Sequence, residues 1–281
     1  FEGCTKLSSI TLGDSVSFIG YDAFNGCDSL QRVEVTNLDA WYAIQFENDN
    51  ANPLTIAHHL YHNGEEVTGL HIPDGIAEIN EGFFKGYENI TICDHPLLKH
   101  KVTMLRNKNT GTNEFRKVVE EISMFVGYEA LRNLELKEVE IETPLEKAMC
   151  PVIAGKKPAI IPILRAGLGM VEGLLNLMPV AKVGHIGLYR DEKTFEPHEY
   201  YCKLPQSLEG RKIFVTDPML ATGGSAIAAI DFVKKYGGKD ITFLCILAAP
   251  LGLEKLAEAH PDIQIYVGNL DRELNENAYI L

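Results

Sequence analysis

The sequence lacks the features that mark several large classes of protein. No apolar run reaches the ~20 residues that a membrane-spanning helix needs. Lys and Arg number 26 against 39 Asp and Glu, so the net charge is −13 and the pI is about 5.2. A surface of this sign repels the phosphates of nucleic acids and of anionic lipids. We therefore expect neither a nucleic-acid partner nor a membrane partner.

The six cysteines show neither a Cys-x-x-Cys pair nor a regular spacing, so reduced thiols are the default. A histidine cluster, His58-His59-x-x-His62, could suggest a metal site. It lacks a fourth ligand at a suitable spacing and has no clear periodicity. We favour a solvent-exposed loop there and predict no protein-bound metal.

The beginning of the chain carries no readable targeting signal. It opens at Phe1, without a methionine or a basic segment, which favours an internal piece of a longer reading frame. The 281 residues, 46% of them apolar, allow one large or two medium domains with proper cores.

An apolar strand, a glycine-bearing turn and a helix form the most informative feature that is present. The run is Ile213-Phe-Val-Thr-Asp217-Pro-Met-Leu-Ala-Thr222-Gly-Gly-Ser225. The first backbone N–H groups of a helix have no intrahelical acceptor, and the helix dipole adds partial positive charge there. This turn therefore suits a phosphate group.

The residues of the turn fit a phosphorylated sugar. Gly223 and Gly224 allow the backbone to approach a ligand, while Thr222 and Ser225 supply hydroxyls for phosphate oxygens. Asp217, at the strand end, can accept hydrogen bonds from sugar hydroxyls. The alternative is an ordinary strand-to-helix turn that binds nothing. The lysine of the P-loop and the three spaced glycines of dinucleotide-binding turns are both missing.

From position 94 onward, strands and helices alternate, which predicts an α/β fold: a parallel sheet with helices on both faces. Predicted strands cover 159–164, 182–188, 212–216, 241–248 and 263–267, and predicted helices cover 112–131, 170–178, 224–236 and 253–260. Ligands of such sheets bind at the carboxyl ends of the strands. Arg165, Arg190 and Asp217 all fall there.

Five further motifs accompany the phosphate turn. They are Asp94-His-Pro-Leu, Lys108-Asn-Thr-Gly-Thr, Val139-Glu-Ile-Glu-Thr-Pro144, Pro162-Ile-Leu-Arg165-Ala-Gly-Leu-Gly-Met170 and Gly184-His-Ile-Gly-Leu-Tyr189-Arg190-Asp191. Together, from about 92 to 281, they resemble the uracil phosphoribosyltransferase family. The resemblance implies a type I phosphoribosyltransferase fold and a cytoplasmic enzyme that joins uracil to 5-phosphoribosyl 1-diphosphate, giving uridine monophosphate and diphosphate.

The resemblance also implies roles for single residues. Arg165 and Arg190 contact the diphosphate, Asp217 and Arg190 are catalytic, and Ile280 lines the uracil pocket. Guanidinium groups suit the diphosphate because they bind phosphate oxygens bidentately and keep their charge. The ribose and its 5′-phosphate are held by Asp217, Pro218, Met219, Leu220, Ala221, Thr222, Gly223, Gly224 and Ser225.

Partners follow from the same resemblance. Mg²⁺ is expected to arrive with the diphosphate, and positioning and electrostatic stabilisation should dominate the chemistry. A homodimer is expected, and guanosine triphosphate is a candidate effector. The polar segment 191–200 is either a hood that closes over the diphosphate or an ordinary surface loop.

The family pattern continues beyond Ile280 into a Pro-Gly-Leu-Gly-Asp-Ala-Gly-Asp-Arg segment that reads uracil, and the given sequence stops before it. We therefore interpret 91–281 as a transferase domain truncated at its carboxyl end. A module that binds the sugar diphosphate but is impaired in catalysis is the alternative.

A 23-residue repeat governs the first 90 residues. Phe1, Gly3, Cys4 and Leu7 recur as Phe24, Gly26, Cys27 and Leu30, and residues 72–90 fit the same template. The pattern resembles BspA-like leucine-rich repeats and predicts a short solenoid over 1–90, with 36–70 as an insert and Cys4 and Cys27 as stacked buried fillers.

The repeats suggest a second class of function, recognition or adhesion by a solenoid face. The junction at 89–93 has no Gly, Ser or Pro linker. A joined reading frame and a genuine fusion therefore both stay open.

Overall fold

The computed structural model describes residues 1–57, 59–67, 89–190, 197–272, 274–275 and 279–280. The amino-terminal region consists of short elements: β1 Ser9–Leu12, β2 Phe18–Ile19, β3 Arg32–Val35, α1 Leu38–Tyr42, β4 Gln45–Phe46, a 3₁₀ helix Asp49–Ala51, α2 Leu54–Ala57, β5 Leu60–His62 and β6 Glu65–Glu66. Strands β1, β3 and β5 are parallel neighbours, with Ile10 opposite Val33 and Val33 opposite Leu60. These three side chains are buried in one core.

The 23-residue repeat corresponds to stacked turns of the chain. The ring of Phe1 stacks on that of Phe24, with centroids 5.5 Å apart, and the backbone N–H of Gly3 donates to the carbonyl of Asn25 at 2.7 Å. Cys27 is buried as expected, but Cys4 is exposed. The expectation for Cys4 was therefore wrong: Phe1 and Gly3 contact the next turn, whereas Cys4 lies at the surface.

The histidine segment is also more regular than expected. Leu60 to His62 form β5 rather than a loop, and His59 Nδ1 lies 2.5 Å from a carboxylate oxygen of Glu66. The insert predicted over 36–70 contains α1, β4 and α2, and Trp41 joins the same core as Val33. The repeat predicted over 72–90 lies, except for its last two residues, outside the described residues, as does His58.

The remainder of the described chain contains eleven strands and five helices. They are β7 Ile90–Ile92, α3 Pro96–Arg106, α4 Thr112–Ala130, β8 Leu136–Glu142, β9 Lys147–Ile153, β10 Ala159–Leu164, α5 Leu168–Leu177, β11 Lys182–Val183, β12 His185–Arg190, β13 Pro197–Lys203, β14 Lys212–Thr216, β15 Met219–Leu220, α6 Gly224–Lys235, β16 Asp240–Ala248, α7 Pro250–Ala259 and β17 Gln264–Leu270.

Nine of these strands form one sheet, in the order β13-β12-β10-β14-β16-β17-β7, with β11 beside β10 and β15 beside β16. Every pairing is parallel except that of β12 with β13. Alternate residues of β14 enter opposite cores: Val215 faces the core that includes α6 and α7, and Phe214 faces the one that includes α3, α4 and α5. The predicted parallel sheet with helices on both faces is confirmed.

Most predicted elements lie where expected. Strands β10 and β14 have the predicted bounds, and α4 follows the predicted stripe through Val118, Val119, Ile122 and Val126, all buried. The strand predicted over 182–188 is instead β11 and β12, separated at Gly184. The division arises because β11 pairs with the start of β10 and β12 with its end.

A second sheet consists only of the antiparallel hairpin β8–β9, whose pairing runs from Leu136 opposite Ile153 to Glu142 opposite Lys147. The hairpin exposes five large apolar side chains: Leu136, Ile141, Leu145, Met149 and Ile153. The sequence analysis did not identify these strands. In the described part of the chain, no helix combines the length and the apolar character that crossing a bilayer requires.

Candidate functional site

Three adjacent strands bring the predicted site residues to one edge of the sheet. Strand β10 lies between β12 and β14, with Leu164 opposite Gly187 and Pro162 opposite Thr216. Arg165 directly follows β10, Asp217 directly follows β14, and Arg190 is the last residue of β12. All three positions are therefore at the carboxyl ends of neighbouring parallel strands, as predicted.

The turn after β10 packs directly on the end of β14. The hydroxyl of Thr216 donates to the carbonyl of Gly167 at 3.3 Å. A Cβ on Gly167 would lie 2.4 Å from the carbonyl oxygen of Thr216, which is a fixed backbone atom. The peptide bond between Leu164 and Arg165 is cis, and the Arg165 side chain is exposed. The loop that presents Arg165 is thus held against the residue before Asp217.

The loop that follows Asp217 is bonded to the end of β16 by its backbone. The carbonyl of Pro218 accepts from the N–H groups of Ile246 and Leu247, at 3.1 and 3.0 Å, and that of Leu220 accepts from Ala249 at 2.9 Å. Three main-chain bonds thus fix the loop before any ligand arrives. Preorganisation of this kind lowers the ordering cost of binding.

The start of α7 supports the same loop from behind. A Cβ on Gly252 would lie 2.5 Å from the carbonyl oxygen of Ala221, so only glycine fits at that position. Gly223 caps α6 with φ +82°, and a Cβ there would lie 3.0 Å from the carbonyl oxygen of Gly252. Gly223 is therefore required by the left-handed turn and by the contact with α7, rather than by access for a ligand alone.

The first turn of α6 presents free backbone donors. The N–H groups of Gly224, Ser225 and Ala226 have no acceptor among the described residues, and no side chain caps the helix there. Thr222 and Ser225 are half-buried beside them. We call residues 218–226 the cradle. Convergent N–H groups at a helix start, with the helix dipole behind them, form an anion site.

Asp217 is half-buried, and its backbone N–H donates to the carbonyl of Leu244 at 3.2 Å. Burial chiefly, and the negative charge of Asp217 in addition, raise the pKa of the Cys245 thiol on β16. Asp217 therefore lies beside Leu244 of β16 and directly precedes the cradle. A negative group at this point can accept sugar hydroxyls and oppose positive charge on a sugar ring.

Ile280 is half-buried and packs against the core formed with α3, α4 and α5. It pairs with Leu274 in an isolated antiparallel bridge. Residue 281 lies outside the described residues. Of the predicted hood, 191–196 also lie outside them, whereas Pro197–Lys203 form β13 on the edge of the sheet. Residues 197–200 therefore belong to a strand paired with β12 rather than to an ordinary surface loop, and the hood stays a prediction.

A separate cavity of ~610 Å³ opens between β7, α3 and α4. Cys93, His95, Tyr128, Glu129 and Arg132 belong to its lining. Strand β7 is the opposite edge of the sheet from β13, so this cavity is not the cradle. The backbone geometry of the cradle, rather than cavity size, identifies the candidate site.

Sequence reasoning missed the supporting role of two glycines. Gly167 and Gly252 each pass so close to another backbone segment that a side chain cannot fit. The Gly of Arg165-Ala-Gly was visible as part of a motif, but its contact with Thr216 is 49 residues distant. Gly252, two residues after Pro250 in α7, carried no recognisable signal of its own.

Comparison with known proteins agrees with this geometry. Residues 92–281 match the family model described as "Uracil phosphoribosyltransferase", and residues 1–60 match that described as "BspA type Leucine rich repeat region (6 copies)". The "Uracil phosphoribosyltransferase" of Clostridium novyi is 57% identical over 192 residues, which cover 68% of this chain and 92% of that protein. That of Streptococcus mutans is 60% identical over 190 residues, covering 68% and 91%.

Among solved structures, the AQ2163 protein of Aquifex aeolicus superimposes with a TM-score of 0.65 at 38% identity, covering 68% of this chain and 91% of that one. The sheet order, the cradle and these similarities agree on one assignment. The chain belongs to the uracil phosphoribosyltransferase family.

Proposed function

We propose that the chain transfers the phosphoribosyl group of 5-phosphoribosyl 1-diphosphate to uracil, giving uridine monophosphate and diphosphate. The observation that carries this proposal is the cradle: three N–H groups at the start of α6 that have no acceptor among the described residues, on a loop fixed by backbone bonds, directly after Asp217. The family assignment supplies the substrates, since the relatives from Clostridium novyi and Streptococcus mutans bear that enzyme's name.

In this proposal the cradle binds the 5′-phosphate and Asp217 accepts hydrogen bonds from the ribose hydroxyls. Breaking the bond between C1′ and the diphosphate develops positive charge on the ring and negative charge on the leaving group. Arg165 and Arg190 stabilise the diphosphate as it leaves, because guanidinium groups stay charged and bind phosphate oxygens in pairs. The uracil nitrogen then forms the new bond to C1′, and its proton is released. Asp217 and Arg190 are the proposed catalytic residues.

The donors on this chain fit a Mg²⁺ ion that enters with the diphosphate. In the described part of the chain, no group of three or more His, Cys, Asp or Glu side chains is arranged to hold a metal ion. Magnesium favours water and phosphate oxygens over a complete protein cage, so Asp217 alone is sufficient as a neighbouring carboxylate. When bound, the ion supplies positive charge to the leaving group.

The proposal is tested by two measurements on the whole chain. Titration calorimetry with 5-phosphoribosyl 1-diphosphate and Mg²⁺ should give one site, and a coupled assay with uracil should give uridine monophosphate. Binding without product would favour a module impaired in catalysis. The absence of both binding and product would contradict the proposal.

We further propose a homodimer, with the hairpin β8–β9 in the contact between copies. Among the described residues the hairpin pairs with no other strand, and it exposes five large apolar side chains that water solvates poorly. An effector role for guanosine triphosphate and a cytoplasmic location stay predictions. A thermal shift with guanosine triphosphate, measured against adenosine triphosphate, tests the effector.

The proposed organisation has two units, a repeat region over 1–90 and a transferase over 91–281. Asn89 favours moving the boundary slightly earlier, because its carbonyl accepts from the N–H of Ile265 at 2.8 Å and its side chain donates to the carbonyl of Ile263 at 3.1 Å. Expression of 89–281 alone tests this: a soluble product that binds the sugar diphosphate supports two units, and an insoluble one contradicts them.

A further inference from the structure

A buried carboxylate lies just beyond the last strand of the sheet. Asp271 follows β17 and is only 5% exposed. Its backbone N–H donates to the carbonyl of Ala248, at the end of β16, at 2.8 Å. Its carboxylate accepts from the side-chain amide of Asn269 at 2.9 Å and from the guanidinium of Arg106. A buried carboxylate is costly unless a cation compensates it.

The cation comes from a distant part of the chain. Arg106 is the last residue of α3, and its helix is fixed by the buried side chains of Leu98, Val102 and Leu105. Arg106 and Asp271 are 165 positions apart. The Arg106 side chain is 44% exposed and that of Asp271 only 4%, so partial burial lowers the pKa of Arg106 while the carboxylate is the deeply buried member of the pair. The pair differs from that of Lys99 with Asp94, in which both side chains are more than half exposed.

Four described residues beyond Asp271 contact one another. The N–H of Asn275 donates to the carbonyl of Tyr279 at 2.8 Å, and the N–H of Tyr279 donates to the side-chain oxygen of Asn275 at 2.9 Å. Leu274 and Ile280 form the bridge described above. We call Leu274, Asn275, Tyr279 and Ile280 the tail residues. They follow Asp271 in the sequence, and Ile280 packs against the core.

We propose that Arg106 is a positioning residue for the uracil site, and that its ion pair with Asp271 anchors the tail residues. The inference rests on the proposed role of Ile280 at the base. Arg106 acts through the side chain of Asp271, whereas the cradle is held by main-chain bonds to β16 and by its contact with α7. Loss of the pair should therefore impair uracil and leave the sugar diphosphate unaffected.

Arg106→Met, which keeps the length of the side chain and removes its charge, tests the inference. Hydrogen exchange followed by mass spectrometry should show peptides that contain Asn275 and Tyr279 exchanging about tenfold faster or more, with peptides from α6 unchanged. The KM for uracil should rise about tenfold, and the KM for 5-phosphoribosyl 1-diphosphate should stay within about twofold. Unchanged exchange at the tail residues would overturn the inference, as would an equal rise of both KM values.

Lys99→Met is the matched control, because it breaks an exposed ion pair on the same helix. It should change neither exchange nor either KM. If Arg106→Met does not fold, Arg106→Lys and Asp271→Asn are measured instead; each weakens the pair, and the same split between the two KM values is expected. If the unaltered chain forms no uridine monophosphate, the proposed function fails, and the exchange measurement still decides whether Arg106 anchors the tail residues.

Discussion

Thr216 donates its hydroxyl to the carbonyl of Gly167 across 3.3 Å, and so joins the loop of Arg165 to the strand that ends at Asp217. Two groups expected on opposite ends of one substrate are thereby held by one contact. The backbone segments that carry Asp217 and Arg165 are thus joined before the substrate binds. Catalysis that depends on positioning gains from such a contact, because less ordering remains to be done on binding.

Gly167→Ala should disturb the contact between Gly167 and Thr216. Its Cβ would lie 2.4 Å from the carbonyl of Thr216 and 2.8 Å from the backbone of Ile163, and neither backbone can move without shifting a strand. We expect a loss of unfolding free energy of about 2–4 kcal/mol, together with weaker binding of the sugar diphosphate. Urea unfolding and calorimetry measure the two effects.

Gly169→Ala is the control for that substitution. Its nearest contact would be the side chain of Val119 at 3.3 Å, which can adjust. It should cost less than about 1 kcal/mol. Equal losses for the two variants would contradict the importance of the contact with Thr216.

Gly223→Ala tests the cradle. The left-handed backbone at φ +82° should cost about 1–2 kcal/mol of stability for any other residue. Gly237→Ala, at φ +86° beyond the end of α6 and with open space around it, should show the same backbone cost. Only Gly223→Ala should also raise the KM for 5-phosphoribosyl 1-diphosphate. A similar KM change in both variants would point to general destabilisation.

Arg165→Ala should weaken binding of 5-phosphoribosyl 1-diphosphate by about 2–3 kcal/mol, because a charged hydrogen-bond donor to the diphosphate is lost. Calorimetry measures the change directly. Arg116→Ala, at an exposed position of α4, removes the same charge away from the site and should have little effect. Unchanged affinity in Arg165→Ala would remove this residue from the proposed site.

Thiol reactivity should follow burial. Burial chiefly, with help from the Glu129 carboxylate, raises the pKa of Cys93 to about 12. At pH 8 only about one Cys93 thiol in ten thousand is then ionised. Iodoacetamide should label exposed Cys4 and spare Cys93 until the protein unfolds, which peptide mass spectrometry detects. Rapid labelling of Cys93 in the folded protein would show that the region around Cys93 opens easily.

The same shift has a consequence for stability. A thiol whose pKa is raised by folding contributes stability that is complete below its usual pKa and is lost as pH rises toward 12. Cys93→Ala removes this contribution. The variant should therefore lose less stability than the parent chain between about pH 9 and pH 11.

The hairpin supplies a prediction about assembly. Met149→Lys introduces a charge among the exposed apolar side chains of β8–β9 and should shift the protein toward monomer in light scattering after gel filtration. Val180→Lys, an equally exposed apolar position outside the hairpin, should leave the mass unchanged. A parent chain that is monomeric at all concentrations would contradict the proposed homodimer.

Much of the sheet was predictable because its central strands are buried on both faces. Strands β10 and β14 are mainly apolar runs, and a charged residue, Arg165 or Asp217, directly follows each of them. Their bounds could therefore be predicted from the sequence. The carboxyl-edge positions of Arg165 and Asp217 followed from those bounds, and that of Arg190 followed from the motif that ends the neighbouring strand.

What could not be predicted depends on contacts between distant segments. The support of Gly223 by Gly252 and the pairing of Arg106 with Asp271 join residues that no local pattern connects. The hairpin β8–β9 was not predicted for a different reason, which lies in its own local sequence. Nearly all of β8 is exposed, and the exposed positions of β9 include apolar Met149 and Ile153, so the sequence shows no consistent alternation of apolar and polar residues.

The order of the strands in the sheet decides where a segment that precedes the transferase joins it. Strand β7, which takes up the polypeptide arriving from the repeats, is the outermost strand, four neighbours removed from β10. At the usual strand spacing, this is a lateral offset of about 19 Å from the loop of Arg165. In the proposed two-unit organisation, an extension ahead of Asn89 therefore joins the transferase at an edge strand, and natural selection could change or exchange that extension without rebuilding the proposed site.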